Sequence, residues 1–175
     1  MQLKFKRLSD KAVLPTYAHP TDAGMDLTAT RITTEIGECG QLVLVYHTDL
    51  AVEIPEGYFG LLTSRSSISK KSMIQTNCVG TIDAGYRGEL MAKFKTTTDV
   101  IPAVYKEGER FAQLIILPLP KFEIVEAEEL AEGDRGENGY GSTGDATETP
   151  VVDATPEGDQ DMLNPEAETI AEVAA

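Results

Sequence analysis

Residues 76–90, TNCVGTIDAGYRGEL, decide how the chain is read. Asn77 sets an amide beside an expected turn. Gly80 and Gly85 can take positive φ and let another molecule come close to the backbone. Asp83 stands between Ile82 and Ala84, an acid in apolar company, while Tyr86 adds a flat ring and Arg87 a cation. A β-hairpin of this composition can offer backbone N–H and C=O groups to a flat polar ligand, with a carboxylate and a ring beside it. A plain hairpin with a solvated Asp and a core Tyr would carry the same residues, so the flanking sequence has to decide.

Outward from this stretch the chain is short strands and polar turns. Leu3 and Phe5 alternate with Lys4 and Lys6, the pattern of a half-buried strand. Further β-type runs fall at 41–46, 50–54, 58–63, 89–95, 111–117 and 122–125, with Pro55-Glu56-Gly57 as a turn between two of them. Residues 67–73 have room for one short helical turn. Many short strands with regular turn signals predict an all-β sandwich or barrel. The expected organisation is a β-domain over 1–134, a glycine-rich segment over 135–144 and an acidic tail over 145–175.

Charge separates the tail from the rest. Nine of the 29 acidic residues lie in 145–175, which holds no Lys or Arg; residues 1–144 keep 20 acids against 15 bases, a net of −5. The whole chain carries −14. That balance argues against nucleic-acid binding by counterion release. The tail is too poor in clustered apolar residues to offset its ordering entropy and is expected to be disordered. It could still engage a protein partner, since Asn164-Pro165-Glu166 has the form of a helix start. Cys39 and Cys78 lack disulfide or metal-site spacing and fit a reducing, cytoplasmic setting. The N-terminus lacks a signal peptide's apolar run, and no segment has the ~20 apolar residues of a membrane span.

Four more constellations accompany the central one. Asp26, in Ala23-Gly24-Met25-Asp26-Leu27, places a carboxylate after a tight turn, where it could meet a hydrated Mg²⁺. Ser64-Arg65-Ser66-Ser67 combines a guanidinium with hydroxyls, donors suited to a phosphate. Gly108-Glu109-Arg110-Phe111-Ala112-Gln113-Leu114 is a turn entering an apolar strand, and its Arg needs a partner if buried. Arg135-Gly136-Glu137-Asn138-Gly139-Tyr140-Gly141-Ser142-Thr143-Gly144 is too permissive for a core element, yet carries a cation, a ring and two hydroxyls, as a lid over a phosphorylated ligand would.

In this order and spacing the five closely resemble the motifs of the trimeric dUTPase family, over roughly residues 1–144. The resemblance implies a jelly-roll-like β-barrel, a homotrimer with shared active sites, and hydrolysis of dUTP to dUMP and pyrophosphate with Mg²⁺. It implies that Asn77 and the backbone of Gly80, Thr81 and Ile82 receive uracil, that Tyr86 packs on the deoxyribose, and that Asp83 activates the attacking water. Arg65, Ser66, Ser67 and Gln113 would bind phosphates, Arg110 would orient Asp83, and Asp26 would reach Mg²⁺ through water. In the lid, Tyr140 would cover uracil and Arg135, Gly141, Ser142 and Thr143 would meet phosphate. Position 67 is Ser where many members have Gly, position 138 is Asn where Gly is usual, and Tyr140 replaces a more frequent Phe; none of these removes a catalytic group.

Two rival readings remain on this scaffold. The related dCTP deaminases need a glutamate in the strand after the hairpin; the corresponding position here is Lys93, which disfavours deamination. A regulatory binding protein acting through the acidic tail is the other, weighed as an addition to enzymology.

Overall fold

The computed structural model describes residues 1–38, 40–98, 103–134 and 136. Two compact units divide the chain, Met1–Val125 and Glu126–Ala175. In the first, ten strands form in order: β1 Lys4–Arg7, β2 Met25–Thr28, β3 Arg31–Ile36, β4 Leu42–His47, β5 Leu50–Glu53, β6 Tyr58–Ser64, β7 Met73–Gln75, β8 Val79–Ile82, β9 Met91–Thr96 and β10 Arg110–Pro118. The only helical element among the described residues is a 3-10 turn at Ser66–Lys70. None is long and apolar enough to cross a membrane.

Two four-stranded antiparallel sheets carry the fold, ordered β2-β10-β6-β8 and β3-β4-β9-β7, with a β1-β5 ribbon beside them. Each sheet sends alternate side chains into one shared core. Leu27, Leu62 and Leu114 come from the first sheet, Tyr46 and Phe94 from the second, and all are at most 1% exposed. Tyr46 lies at the centre. Its ring stacks on Phe111 at 5.1 Å between centroids and meets Phe94 edge-on at 5.3 Å. Such aromatic pairs add about 0.5–1.5 kcal/mol each beyond area burial. The Tyr46 hydroxyl does not go unsatisfied, donating to the Tyr105 carbonyl at 3.0 Å.

The all-β, jelly-roll-like expectation agrees with this sandwich. Most expected runs became strands, and the short turn after Arg65 formed as a 3-10 element. Three strands had no expected counterpart, β2, β3 and β7, while β8 falls in the stretch expected as a hairpin but pairs with β6 and not with β9. Each is brief or polar, and β3 (RITTEI) is stabilised by pairing with β4 through all six of its residues. The run at 122–125 does not form a strand. Phe122, Ile124 and Val125 are 82%, 96% and 72% exposed, and Pro118 and Pro120 interrupt backbone donation just before them. The 89–95 run begins two residues late, because the Leu90 N–H leaves the ladder and donates to the Leu50 carbonyl at 2.7 Å. The acidic tail and its expected disorder lie outside the described residues.

One irregularity matters for function. Along β10 the pairing with β2 shifts between Arg110 and Ala112, a bulge that sets Arg110 opposite Thr28 and Gln113 opposite Asp26. Residues three apart in a regular strand face opposite ways. The extra residue resets that alternation, so Phe111 and Ala112 are both fully buried while Arg110 and Gln113 turn to the same side.

Candidate active site

Asp26 is the centre of the first cluster. Its residue is 5% exposed, yet three side chains donate to its carboxylate. Arg65 Nε reaches Oδ1 at 2.8 Å, Gln113 Nε2 reaches the same oxygen at 3.3 Å, and Arg110 reaches Oδ2 at 2.8 Å. Arg65 also donates to the Arg110 carbonyl at 3.3 Å. A buried carboxylate is tolerable only when so paired. Close packing holds the set together, since a Cβ on Gly24 would stand 3.1 Å from Cβ of Gln113. The result is two guanidinium groups and an amide gathered on one carboxylate, with Arg110 half exposed toward solvent.

Beside this cluster a cavity of about 370 Å³ is lined by Arg65, Ser67, Lys71, Tyr105, Glu109 and Arg110. Ser66 opens the 3-10 turn, and the Ser67 hydroxyl shares a 2.9 Å hydrogen bond with the Tyr105 hydroxyl. The Lys71 ammonium sits 4.7 Å from the Tyr105 ring centroid and donates to the Val104 carbonyl at 3.0 Å. The Lys106 N–H, donating at 2.9 Å, and then the Lys71 charge hold the Glu109 carboxyl below the ordinary glutamate range. Arg65, Lys71 and Arg110 set three cations against the two carboxylates of Asp26 and Glu109, which leaves one positive charge in excess and a cradle suited to an anion.

The second cluster lies at the far end of the same sheet. Among the described residues β8 has only β6 beside it, so every second residue of Val79–Ile82 turns its N–H and C=O away from the ladder. The turn before it differs from expectation. Neither Gly80 nor Gly85 takes positive φ; Cys78 does, at 56°, because the chain closes there with Cys78 N donating to Gln75 O at 3.1 Å. Gly80 keeps its second role, as its missing Cβ leaves the backbone open beside Asn77. Asp83 follows β8, exposed, and no side-chain partner is found for its carboxylate among the described residues. Its carbonyl accepts the Tyr86 N–H at 3.0 Å, so the acid and the ring share one tight turn. A recess of about 140 Å³ opens between Thr81, Ile82, Asp83, Tyr86, Glu89 and Met91.

The register separates the two ends. Gln113, Thr63 and Val79 share a row across β10, β6 and β8, and Asp83 lies four residues further along. At ~3.3 Å per residue that is roughly 13 Å, and Arg110 is farther still. Within one chain Arg110 therefore meets Asp26, and the expected approach to Asp83 is not made. Arg135, Tyr140, Gly141, Ser142 and Thr143 lie outside the described residues.

Sequence reasoning passed over three residues that the fold brings in. Gln75, 3% exposed, accepts from the Ser64 hydroxyl at 3.1 Å and donates to Asn77 Oδ1 at 3.1 Å. It ties Ser64, at the end of β6, to the turn that enters β8, on the Arg65 side of the sheet. Tyr105 and Lys71 support Ser67. Nothing local marks any of them, because their partners are distant in sequence.

Among the described residues no group of three or more His, Cys, Asp or Glu side chains could hold a metal. Asp26 fits only an outer role. Three donors already occupy its roughly four lone-pair directions, leaving space for a water and not for direct coordination. Lys93, the position that would carry a deaminase's acid, forms a surface pair with Glu35 at 2.6 Å.

Comparison with known proteins agrees on one family. The dUTPase model matches residues 10–144. The deoxyuridine 5'-triphosphate nucleotidohydrolase of Thermobifida fusca is 36% identical over 146 residues, covering 82% of this chain and 79% of its own. A variant dUTPase of Staphylococcus bacteriophage 80alpha, solved with dUpNHpp, is 36% identical with a TM-score of 0.69, covering 82% of this chain and 98% of that one. A variant dUTPase from Staphylococcus aureus phage phi11, solved to show a structural Mg(II), is 34% identical with a TM-score of 0.62, covering 74% and 98%. An anion cradle at one end of a β-sandwich sheet and an open edge strand with a free acid at the other, joined to these matches, lead to one conclusion: the chain belongs to the dUTPase family.

Proposed function

We propose that the protein hydrolyses dUTP to dUMP and pyrophosphate at sites completed by a second copy of the chain in a homotrimer. The observation that carries the shared site is the separation of the two clusters. A nucleoside triphosphate must touch an edge strand for its base and a cation cradle for its phosphates. In one chain Asp83 stands roughly 13 Å along the sheet from the Gln113 row, out of reach of a phosphorus held against Arg65 and Arg110 of that chain, whereas the exposed Asp83 of one subunit can face those residues of another.

The residues then divide the work. Uracil's O4, N3–H and O2 match the outward N–H and C=O groups along Gly80 to Ile82, and Asn77 closes the pocket. Backbone packing excludes a thymine methyl, and the reversed donor and acceptor of cytosine meet the wrong partners. Tyr86 lies under the deoxyribose, where a 2′-hydroxyl would clash. Asp83 takes a proton from water as its oxygen attacks the α-phosphorus in line; the bond to the pyrophosphate oxygen breaks, and the electron pair leaves with it. Arg65, Ser66, Ser67 and Gln113 hold the phosphates, while Arg110 faces the subunit boundary. Clustered donors stabilise the charge that shifts to the leaving group. Magnesium, when bound, neutralises part of the triphosphate charge, and Asp26 would face it across a water. Arg135, Tyr140, Gly141, Ser142 and Thr143 serve as the closing lid. A cytoplasmic setting suits this activity, which would limit uracil in DNA and supply dUMP for dTMP synthesis. No described residue favours the regulatory reading, since 145–175 lies outside the description.

The activity is tested by pyrophosphate release with Mg²⁺ from dUTP beside dTTP, dCTP and UTP. Hydrolysis of dUTP alone is expected. The shared site is tested by mixing: Asp83→Asn and Arg65→Ala chains, each inactive alone, should recover activity when refolded together. Mixtures as inactive as their components would overturn the shared site.

A further inference from the structure

We infer that Gly88 and Glu89 are positioning residues that set the seat of the Tyr86 ring and, through it, the discrimination of deoxyribose from ribose; the specificity half of this rests on the function proposed above. The ring folds back along its own chain so that its hydroxyl donates to the Glu89 carbonyl at 3.0 Å. Gly88 makes that fold-back fit. A Cβ there would stand 2.4 Å from the Tyr86 hydroxyl oxygen and 2.6 Å from Cζ, well inside contact distance. Gly88 does not take positive φ, so its need for hydrogen is steric.

The carbonyl that receives the hydroxyl is itself fixed. Glu89 Oε1 accepts the Asp49 N–H at 2.9 Å, and Oε2 meets His47 Nδ1 at 3.0 Å and Arg31 at 3.1 Å. His47 is held in turn by Thr33 at 3.0 Å, and Asp49 accepts from Ser9 at 2.7 Å. The next residue, Leu90, is clamped through both backbone groups, its N–H on Leu50 at 2.7 Å and its carbonyl on Thr48 Oγ1 at 2.6 Å. An exposed ring on a loop between two sheets ordinarily samples several rotamers. Here both ends of the Tyr86 residue are tied, its N–H to Asp83 and its hydroxyl to Glu89. The network pins an edge of the recess, although none of His47, Arg31 or Asp49 lines it.

Two readouts separate this inference from the reaction it serves. The first needs no nucleotide: tyrosine-labelled protein is compared by NMR as wild type, Gly88→Ala and Glu89→Gln, with Tyr86→Phe used to assign the ring signals. Moved or exchange-broadened Tyr86 resonances are expected in both variants, with the other tyrosines unchanged. The second is the ratio of kcat/KM for dUTP over UTP. Gly88→Ala should lower it roughly tenfold, chiefly through better use of UTP, because a displaced wall no longer excludes the extra hydroxyl. Glu89→Gln should lower it less, and Glu89→Asp should not restore it, since the shorter side chain cannot span the same donors. Adding Gly88→Ala to Tyr86→Phe should cost less than it does in the wild type. Unmoved Tyr86 signals, or a ratio within twofold of wild type while melting temperature falls, would overturn the inference and leave Glu89 as scaffold. A wild type inactive on dUTP would instead overturn the proposed function, with the NMR result still deciding whether the ring is seated this way.

Discussion

Asp26 lies on β2 and Asp83 just past β8, two strands of one sheet, and the molecule treats them in opposite ways. Asp26 is buried with three donors on its two oxygens. Asp83 is exposed, and its carboxylate has no described partner. A carboxylate whose oxygens already accept from two guanidinium groups and an amide is held in one place by them. It serves as a fixed anchor for other side chains. A carboxylate left without donors in its own subunit can accept a proton from water once substrate and a neighbour close around it. The contrast explains why a single sheet can carry both structural and chemical acids.

The contrast breaks most visibly at Asp83. Asp83→Asn should leave nucleotide binding within a fewfold and reduce kcat by roughly 10³ or more, the scale of losing a positioned general base. Single-turnover kinetics and calorimetric binding of a non-hydrolysable analogue measure the two parts. An active Asp83→Asn protein would remove the proposed base. Asp26→Asn comes next. It leaves an amide nitrogen facing the Arg110 guanidinium and loosens Arg65 and Gln113 together, so kcat/KM should fall about 10²-fold. Here KM and melting temperature should both move, which distinguishes an anchor from a base. If Asp26→Asn changed only kcat, the anchor reading would be lost.

The two clusters also differ in how much of them the sequence revealed. Every polar residue of the Asp26 cluster was named from motif spacing, but its geometry was not. The bulge that turns Arg110 and Gln113 to one side is a register event between β10 and β2, strands far apart in sequence. No local pattern predicts where an extra residue will be accommodated. The 76–90 stretch was less legible in form: the expected hairpin does not close, because β8 pairs with β6 and β9 with β4 and β7 in the other sheet, and the left-handed residue is Cys78 and not a glycine. β-Propensity misled at 122–125, where an apolar run lacks a described partner strand, and missed β3, whose polar residues become a strand because β4 pairs with them. Fold class was readable because many short runs agree; cross-strand partners such as Gln75 were not.

Gln75 tests whether the turn that enters β8 and the cation cluster act together. It is buried between Ser64, the neighbour of Arg65, and Asn77, in the turn that enters β8. Replacing it by Leu keeps the volume and leaves both partners searching for water, at about 1–3 kcal/mol. Turnover of dUTP should fall roughly tenfold through KM, given that energy at 1.4 kcal/mol per decade. Equal weakening of dUMP and of pyrophosphate binding would show that both feel the change. Weakening of dUMP alone would show that Gln75 serves only the base.

The smallest expected effect belongs to Tyr46, which should touch one end and spare the other. Its hydroxyl supports the Tyr105 carbonyl, and the Tyr105 hydroxyl supports Ser67 beside the cation cradle; no comparable contact runs toward Tyr86. Tyr46→Phe should therefore raise KM about twofold while leaving the dUTP-over-UTP ratio unchanged, the loss of one buried hydrogen bond acting at second hand. The same residue has a signature in pH. Burial pushes the Tyr46 phenol up from 10.0 to about 12, against a partial offset from its bond to Tyr105. In the unfolded chain it ionises near its ordinary value, so between pH 10 and 12 the folded state binds more protons than the unfolded one. Stability is then complete below about pH 10 and declines as pH rises through that window, by roughly 2.7 kcal/mol for two pH units. Urea unfolding from pH 9 to 12 should show that decline in the wild type and a shallower one in Tyr46→Phe, which starts lower but has no phenol at this position to ionise. Equal slopes would mean that the phenol is solvated on the folded side, and the support it lends to the cradle would go with it.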